Sequence, residues 1–494
     1  MDKGNLLWIM PLLAASGGIF CRFFKDPRRI LIFTCNMVLG IGLLGMLAAA
    51  AVFKQGQLTG SAGWFNLDAL SAYHLLVLMI VYALSSFYAV DYFAADIRSG
   101  EFTPAMAQRY GTLWLASLAT MIVVLIADNI GIMWVGMETT TLVTAFLVSI
   151  YPKRIAIEAM WKYLIICSVG IAFAFIGTLL VAASTSGIAD AAGSRFFSWT
   201  SLRGVAGQLN PQLIKIGFLF SIVGYGTKAG LAPTHSWLPD AHSQCPTPVS
   251  AMFSGFMLNA ALYCIIRHAA LTNLVLGTAF FTQTVLVVFG LLSIIIAAAF
   301  ILSQHDLKRL LAYHSVEHLG IIALGLGLGP VGAFAAMFHT LNHSVCKALS
   351  FFSAGRLGQI YGTHDMRRIS GALHVSPVWG AGLLFSLLAL IGVAPFAIFI
   401  SELLIVKAAI ASHAFWSLFI FIAGSSIIFV GALQHAIPMA WGKPPSLVEK
   451  PPVIKTIEVA IVFGSLAMLL FLGVWMPNGF RDVLSNAARI AGGL

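Results

Sequence analysis

The chain has 494 residues, of which 59% are hydrophobic and only 9% charged, with a mean hydropathy of +0.93 and a formal net charge of +10. Such a composition excludes a soluble multidomain protein and identifies a polytopic membrane protein. It also excludes reading the basic excess as nucleic-acid binding, because in a membrane protein basic residues collect in the loops of one side.

Apolar windows long enough to cross a bilayer, roughly 17 to 25 residues each, fall in chain order at 5–22, 30–53, 69–90, 110–127, 129–150, 159–183, 212–229, 247–267, 280–303, 309–328, 331–354, 376–396, 414–437 and 456–476. They predict an all-α fold of about 14 transmembrane helices. The start, MDKGNLLWIMPLL, lacks a basic n-region and a small-residue cleavage site, so a retained first helix with an external N-terminus is expected. On that orientation seventeen of the 28 basic residues lie in inner loops or helix ends, among them Arg28, Arg29, Lys153, Arg154, Lys308, Arg309, Arg367 and Arg368. Eight lie outside, and Lys228, Lys347 and Lys407 lie within helices, as the positive-inside rule requires. The longest loop, about 184–211, is too short for a catalytic domain. Six cysteines are scattered without CxxC pairs or the spacing of a zinc or iron-sulfur site, so no cofactor, metal or redox centre is expected.

Two apolar segments are interrupted. In GYGTKAGLAPTHSWLPDAHSQCPTPVSA, Gly224–Ala251, a lysine stands inside the membrane beside Gly230 and Pro233. A charge at that depth costs about 2.5 to 3.5 kcal/mol on insertion scales, and the break frees backbone groups that the protein itself must satisfy. The second interruption, at Gly392 and Pro395, continues as FAIFISELLIVKAAI and places Glu402 just beyond the break. Interrupted helices at corresponding positions of two halves point to an inverted repeat with ion sites at mid-membrane.

Other polar groups lie equally deep. Glu138, in GIMWVGMETTTLVTAFLV, is about two turns from either helix end. An unpaired buried carboxylate takes up a proton, whereas a nearby ammonium keeps it ionised; Lys228 is the expected partner. In AAMFHTLNHSVCKALSFF, His339, His343 and Lys347 recur every four residues, forming one stripe that climbs about 12 Å. The preceding segment, LAYHSVEHLGII, carries His314, Glu317 and His318. HSVEH fits the HxxEH pattern of some metalloproteases, but that chemistry requires neither Lys228 nor Lys347, whose charge opposes a dication. GLGPVG at 327–332 fits GxGxxG but bends between membrane helices and contains Pro330, so it is no dinucleotide site.

Together, WVGME, KAGLAPTHSWLPDAHSQCPTPVSA, DLKRLLAYHSVEHLG, FHTLNHSVCKALSF and FISELL resemble the antiporter-like membrane subunits shared by respiratory complex I, Mrp-type sodium/proton antiporters and group 4 membrane-bound hydrogenases. Within that superfamily, AHSQCPTPVSA and LAYHSVEHLGII look most like component F of hydrogenase-4, the formate hydrogenlyase type. The resemblance implies fourteen helices with two inverted five-helix repeats and two broken helices. Residues 1–108 would form the N-terminal helices, 109–268 and 279–437 the repeats, and 438–494 a final helix and tail. It further implies a bacterial inner-membrane subunit that moves protons, with sodium as an alternative ion. The implied partners are other antiporter-like subunits and a peripheral nickel-iron and iron-sulfur module.

Carried over residue by residue, Glu138 and Lys228 form the first charge pair, His339, His343 and Lys347 the central relay, and Glu402 the exit group. Where many relatives place a lysine or histidine after PTPVSA, this chain has FSGFMLNAALYCIIR, with Asn259 at the expected place. An amide cannot carry a proton as a charge, so the link between halves must pass through water held by Asn259 or through His314, Glu317 and His318. Rival readings are a passive scaffold that anchors a soluble enzyme, a subunit of an inorganic-carbon uptake complex, and an Mrp-type antiporter subunit.

Overall fold

The structure is a computed structural model and describes residues 4–60, 63–188, 197–445 and 454–492. In chain order, α1 (Asn5–Phe20) and α2 (Pro27–Gln55) lead into a hairpin of β1 (Gln57–Thr59) and β2 (Asn66–Asp68). There follow α3 (Ala69–Tyr92), the short α4 (Ala94–Ser99), α5 (Pro104–Ile126), α6 (Ile130–Val148), α7 (Arg154–Ala183), α8 (Trp199–Gly204) and α9 (Pro211–Ala229). Past the first interruption lie α10 (Trp237–Gln244) and α11 (Thr247–Met252), which a π-helical turn at Phe253–Met257 joins to α12 (Leu258–Leu276). The second half runs α13 (Phe280–Ile301), α14 (Leu307–Gly327), α15 (Gly329–Tyr361), α16 (Ala372–Val375), α17 (Pro377–Leu390), α18 (Ala397–Ala411) and α19 (Phe415–Trp441), before α20 (Thr456–Val474) and α21 (Asn478–Ala491).

Eleven of the described helices are long and apolar enough to cross a bilayer. Three further traverses, α9 with α10, α15, and α17 with α18, are the interrupted or polar ones, and they complete the fourteen expected. Helix starts are set locally. Asp68, Asn129 and Asp306 cap α3, α6 and α14 by accepting from backbone N–H groups of the first turn, and Pro27, Pro104 and Pro211 sit where a missing N–H costs nothing. Helix α15 exceeds its predicted window and is the central element, touching α3, α11, α14, α17, α18, α20 and α21. The 184–211 loop contains α8; its residues 189–196 lie outside the described residues.

Both interruptions share one design. Gly230 and Gly392 end their helices at φ +76° and +71°, each followed three residues later by a proline, Pro233 and Pro395. The tetrapeptide GLAP at the first interruption has its counterpart in GVAP at the second. At the first break the freed Ala232 N–H donates to Ser293 Oγ on α13 at 2.9 Å, and at the second Asn342 Nδ2 on α15 donates to the carbonyl of Ala397, the first residue of α18, at 3.3 Å. Trp237 Nε1 donates to the Thr227 carbonyl at 2.8 Å, tying α10 back to α9.

Small residues let α9 lie against α7. A Cβ on Gly224 would stand 2.4 Å from the Ala174 backbone nitrogen, so the two backbones can meet only without it. Gly224→Ala is therefore expected to separate α7 from α9 at a cost of about 1 to 3 kcal/mol, read as a lowered melting temperature of the detergent-solubilised protein. Gly464→Ala, which meets nothing within 4 Å, should melt like the wild type.

Candidate functional site

Helix α9 delivers Lys228 to its last turn, fully buried. Its Nζ donates to the Tyr163 hydroxyl on α7 and lies 4.5 Å from the centre of that ring, so the charge is held by a hydroxyl and an aromatic face together. The Tyr163 hydroxyl is also 2.6 Å from Thr144 Oγ1 on α6. Glu138 is half-buried and accepts from Ser168 Oγ at 2.8 Å, while its second oxygen has no protein partner. Among the described residues Lys228 donates to Tyr163 and Glu138 accepts from Ser168, so the expected pair makes no direct contact, while the Glu138 charge still acts on the Lys228 ammonium through space. Glu138 shares an edge of α6 with the exposed Val135 and Leu142, and its hydrogen bond reaches across to α7.

Beyond Lys228, α10 brings in a residue that sequence reasoning passed over as part of the break. His242 is fully buried, its two ring nitrogens have no protein partner, and its ring stacks on Phe351 at 5.1 Å. Phe351 lies one turn from Lys347, whose Nζ is 5.0 Å from the same ring and donates to the Leu311 carbonyl on α14. Lys308, also buried, donates to the Cys245 carbonyl at 2.6 Å just below His242. Asp240 fixes α10 from both sides, pairing with Lys162 of α7 and Arg309 of α14. At the end of α15, His364 lies outside the membrane spans, and burial, then the nearby Lys308 charge, holds its imidazole down to about 3; it is therefore neutral at ordinary pH.

The second half gathers the histidines into one buried network. His314 Nδ1 is 2.9 Å from Glu317 Oε2, His318 Nδ1 is 2.9 Å from His339 Nε2, and His339 Nδ1 is 2.9 Å from Ser401 Oγ. His343 packs on His318 at 5.1 Å, its nitrogens unpartnered. Ser401, the second residue missed, adjoins Glu402, whose carboxylate fills the space over Gly392; a Cβ there would lie 2.2 Å from Glu402 Oε2. The α18 break therefore positions Glu402 as the α9 break positions Lys228. Donor atoms of His314, Glu317 and His318 lie within 4.8 Å of one another and could hold a metal ion, but here their hydrogen bonds go to each other and to His339. Asn259 stands between the halves, donating to Ser344 Oγ at 3.1 Å, with its own oxygen unpartnered.

Residues 127–428 match the family described as NADH:quinone oxidoreductase/Mrp antiporter, transmembrane. The chain is 39% identical over 352 residues to a hydrogenase-4 component F homolog of Methylacidiphilum infernorum, covering 70% of this chain and 73% of that one. It is 31% identical to hydrogenase-4 component B of Escherichia coli and 33% to NADH-quinone oxidoreductase subunit L of Mycobacterium tuberculosis, covering 68% and 70% of this chain but only about half of theirs, 49% and 52%. A chain of the archaeal membrane-bound sulfane sulfur reductase superposes with a TM-score of 0.88 at 25% identity, covering 100% of this chain and 98% of that one. A chain of the Mrp complex from Dietzia sp. DQ12-45-1b matches in fold, with a TM-score of 0.85 at 19% identity over 99% and 97%. The broken helices, the buried lysines and histidines, and these matches place the chain in the NADH:quinone oxidoreductase/Mrp antiporter family of polytopic membrane subunits.

Proposed function

We propose that the chain translocates protons as one subunit of a group 4 hydrogenase or formate hydrogenlyase complex in a bacterial inner membrane, with its N-terminus outside. One observation carries this reading: ionisable side chains follow one another along the membrane interior, from the buried Lys228 through His242 and Lys347 to His318 and His339 and on to the half-buried Glu402. All of these groups take up and release protons, and none is placed for covalent chemistry. The hydrogenase assignment draws on the component F homolog, which is matched over most of its length, whereas the other two relatives are matched over about half.

In this mechanism a redox event in partner subunits, nickel-iron and iron-sulfur proteins together with further antiporter-like subunits, changes the charge near Glu138. Its edge position and free oxygen suit it to receive that signal. A change there alters how firmly Lys228 holds its proton, because a desolvated ammonium depends on the charges and dipoles around it. The released proton passes by His242 and intervening water to Lys347, whose carbonyl contact on α14 leads to His314, Glu317 and His318. From His318 the hydrogen-bonded line runs through His339 to Ser401, and water carries the proton from there to the adjacent Glu402. Water at the unpartnered Asn259 oxygen offers the shorter crossing between the halves.

In vesicles carrying the assembled complex, Lys228→Ala should abolish coupled proton uptake while redox turnover persists in part; pumping at the wild-type rate would refute the relay. Tyr163→Phe, which keeps the ring and removes the hydroxyl that accepts from Lys228, should lower pumping without abolishing it. If the chain is a passive scaffold, Glu138→Ala and Lys347→Ala will leave proton flux unaltered. Purification of the complex identifies the redox module: nickel-iron subunits support the hydrogenase reading, whereas NADH-oxidising or carbonic-anhydrase-like subunits assign the chain to another system. Proton uptake compared in sodium and in choline media distinguishes the two ions.

A further inference from the structure

A second line of polar groups leaves the relay between its two halves and runs toward the face that holds the N-terminus. It begins at Asn259, hydrogen-bonded to Ser344 on α15, three residues before Lys347. One and two turns further along α12 stand Tyr263 and Arg267, on the same stripe at i+4 and i+8. The Tyr263 hydroxyl meets Ser71 Oγ at 2.8 Å, the Leu125 carbonyl at 3.0 Å and Arg267 Nε at 2.9 Å. Arg267 makes a two-pronged pair with Asp68, at 2.6 and 2.7 Å, donates to Ser71 Oγ at 2.6 Å, and is stacked 4.4 Å from the centre of the Trp199 ring. The pair is buried, with Arg267 6% and Asp68 8% exposed.

On the far side of this pair the structure opens. A crevice of about 10 Å³ touches Arg267, Asn66 and Asp128, and Asn66 and Asp128 also line a polar cavity of about 530 Å³ bounded by Asn129, Ser198 and Thr200. The smaller space matches about one water. The column therefore runs from the relay to a polar chamber on the N-terminal face, with one buried ion pair across it. Its lower end lies beside the π-helical turn at Phe253–Met257, a distortion frequent at functional sites.

We propose that this column is a second proton outlet, serving the first half of the relay, and that the Asp68–Arg267 pair is its gate. While the guanidinium is clamped to Asp68, Ser71 and the Tyr263 hydroxyl, no water chain joins the chamber to Asn259. When Arg267 swings toward the chamber and Asp128, the Tyr263 hydroxyl and the unpartnered Asn259 oxygen are free to hold water. A proton can then cross to the outer face without passing Glu402. The outlet rests on the relay reading, in which Lys228 and Lys347 supply the proton.

The test is the passive proton permeability of vesicles carrying the assembled complex, with no redox substrate and an imposed potassium diffusion potential. Asp68→Asn, which removes the charge that clamps Arg267, should raise the leak several-fold, and adding Tyr263→Phe should return it toward the wild-type level. Should Asp68→Asn fail to assemble, Ser71→Ala, which removes one acceptor from Arg267, replaces it with the same expected direction. An assembled variant that leaks no more than the wild type, or a leak that Tyr263→Phe leaves unchanged, overturns the outlet. Failure of the relay itself is seen separately, as normal pumping by Lys228→Ala.

Discussion

A chain surrounded by hydrocarbon must satisfy its own backbone, and everything particular to this protein follows from two places where a helix stops inside the membrane. Each stop sets free N–H and C=O groups that water cannot reach. Ser293 on α13 accepts from the freed Ala232 N–H of the first, and Asn342 on α15 bonds the start of α18 at the second, so each break is tied to an element of the second half. Beside the two breaks the chain keeps Lys228, in the last turn before the first, and Glu402, in the helix that follows the second.

The central helix α15 makes the two breaks one system. It carries His339, His343 and Lys347 on one side, Ser344 toward Asn259, and Phe351 under His242, so each polar line in the interior touches it. Its burial is nearly complete along its length. A buried polar group without a partner is expensive, and part of that cost is relieved where imidazoles are grouped. Grouped, they share hydrogen bonds, as His318, His339 and Ser401 do.

Much of this was legible in the sequence, for a physical reason: placing lysine, glutamate or histidine in an apolar helix is costly, so such residues stand out. Lys228, Lys347, Glu402 and the histidine groups are all buried or half-buried where their spacing put them. Direct hydrogen-bond partners are harder to read: Glu138 and Lys228 bond to Ser168 and Tyr163, which both stand on α7. Tyr163 escaped notice because an aromatic residue on an apolar helix looks like ordinary packing; only its distance from Lys228 reveals its role. His242 was overlooked because PDAHSQCP reads as a loop, whereas Asp240, held between Lys162 and Arg309, fixes it as a short helix. The likeness of the GLAP and GVAP tetrapeptides is too short to register without knowing that both follow a helix with a glycine at positive φ.

The π-helical turn at Phe253–Met257 gives the join between the halves an evolutionary reading. Such a turn amounts to one residue more than an α-helix needs, and each residue rotates the face of a helix by about 100°. Everything that α12 presents beyond it, including Asn259, Tyr263 and Arg267, owes its bearing to that added residue. A lineage that lost one residue here would keep its helix and its hydrophobicity but would turn these three side chains toward different neighbours. The connection between the two halves can thus be rewired by a single codon, with no change to the charged residues at either end.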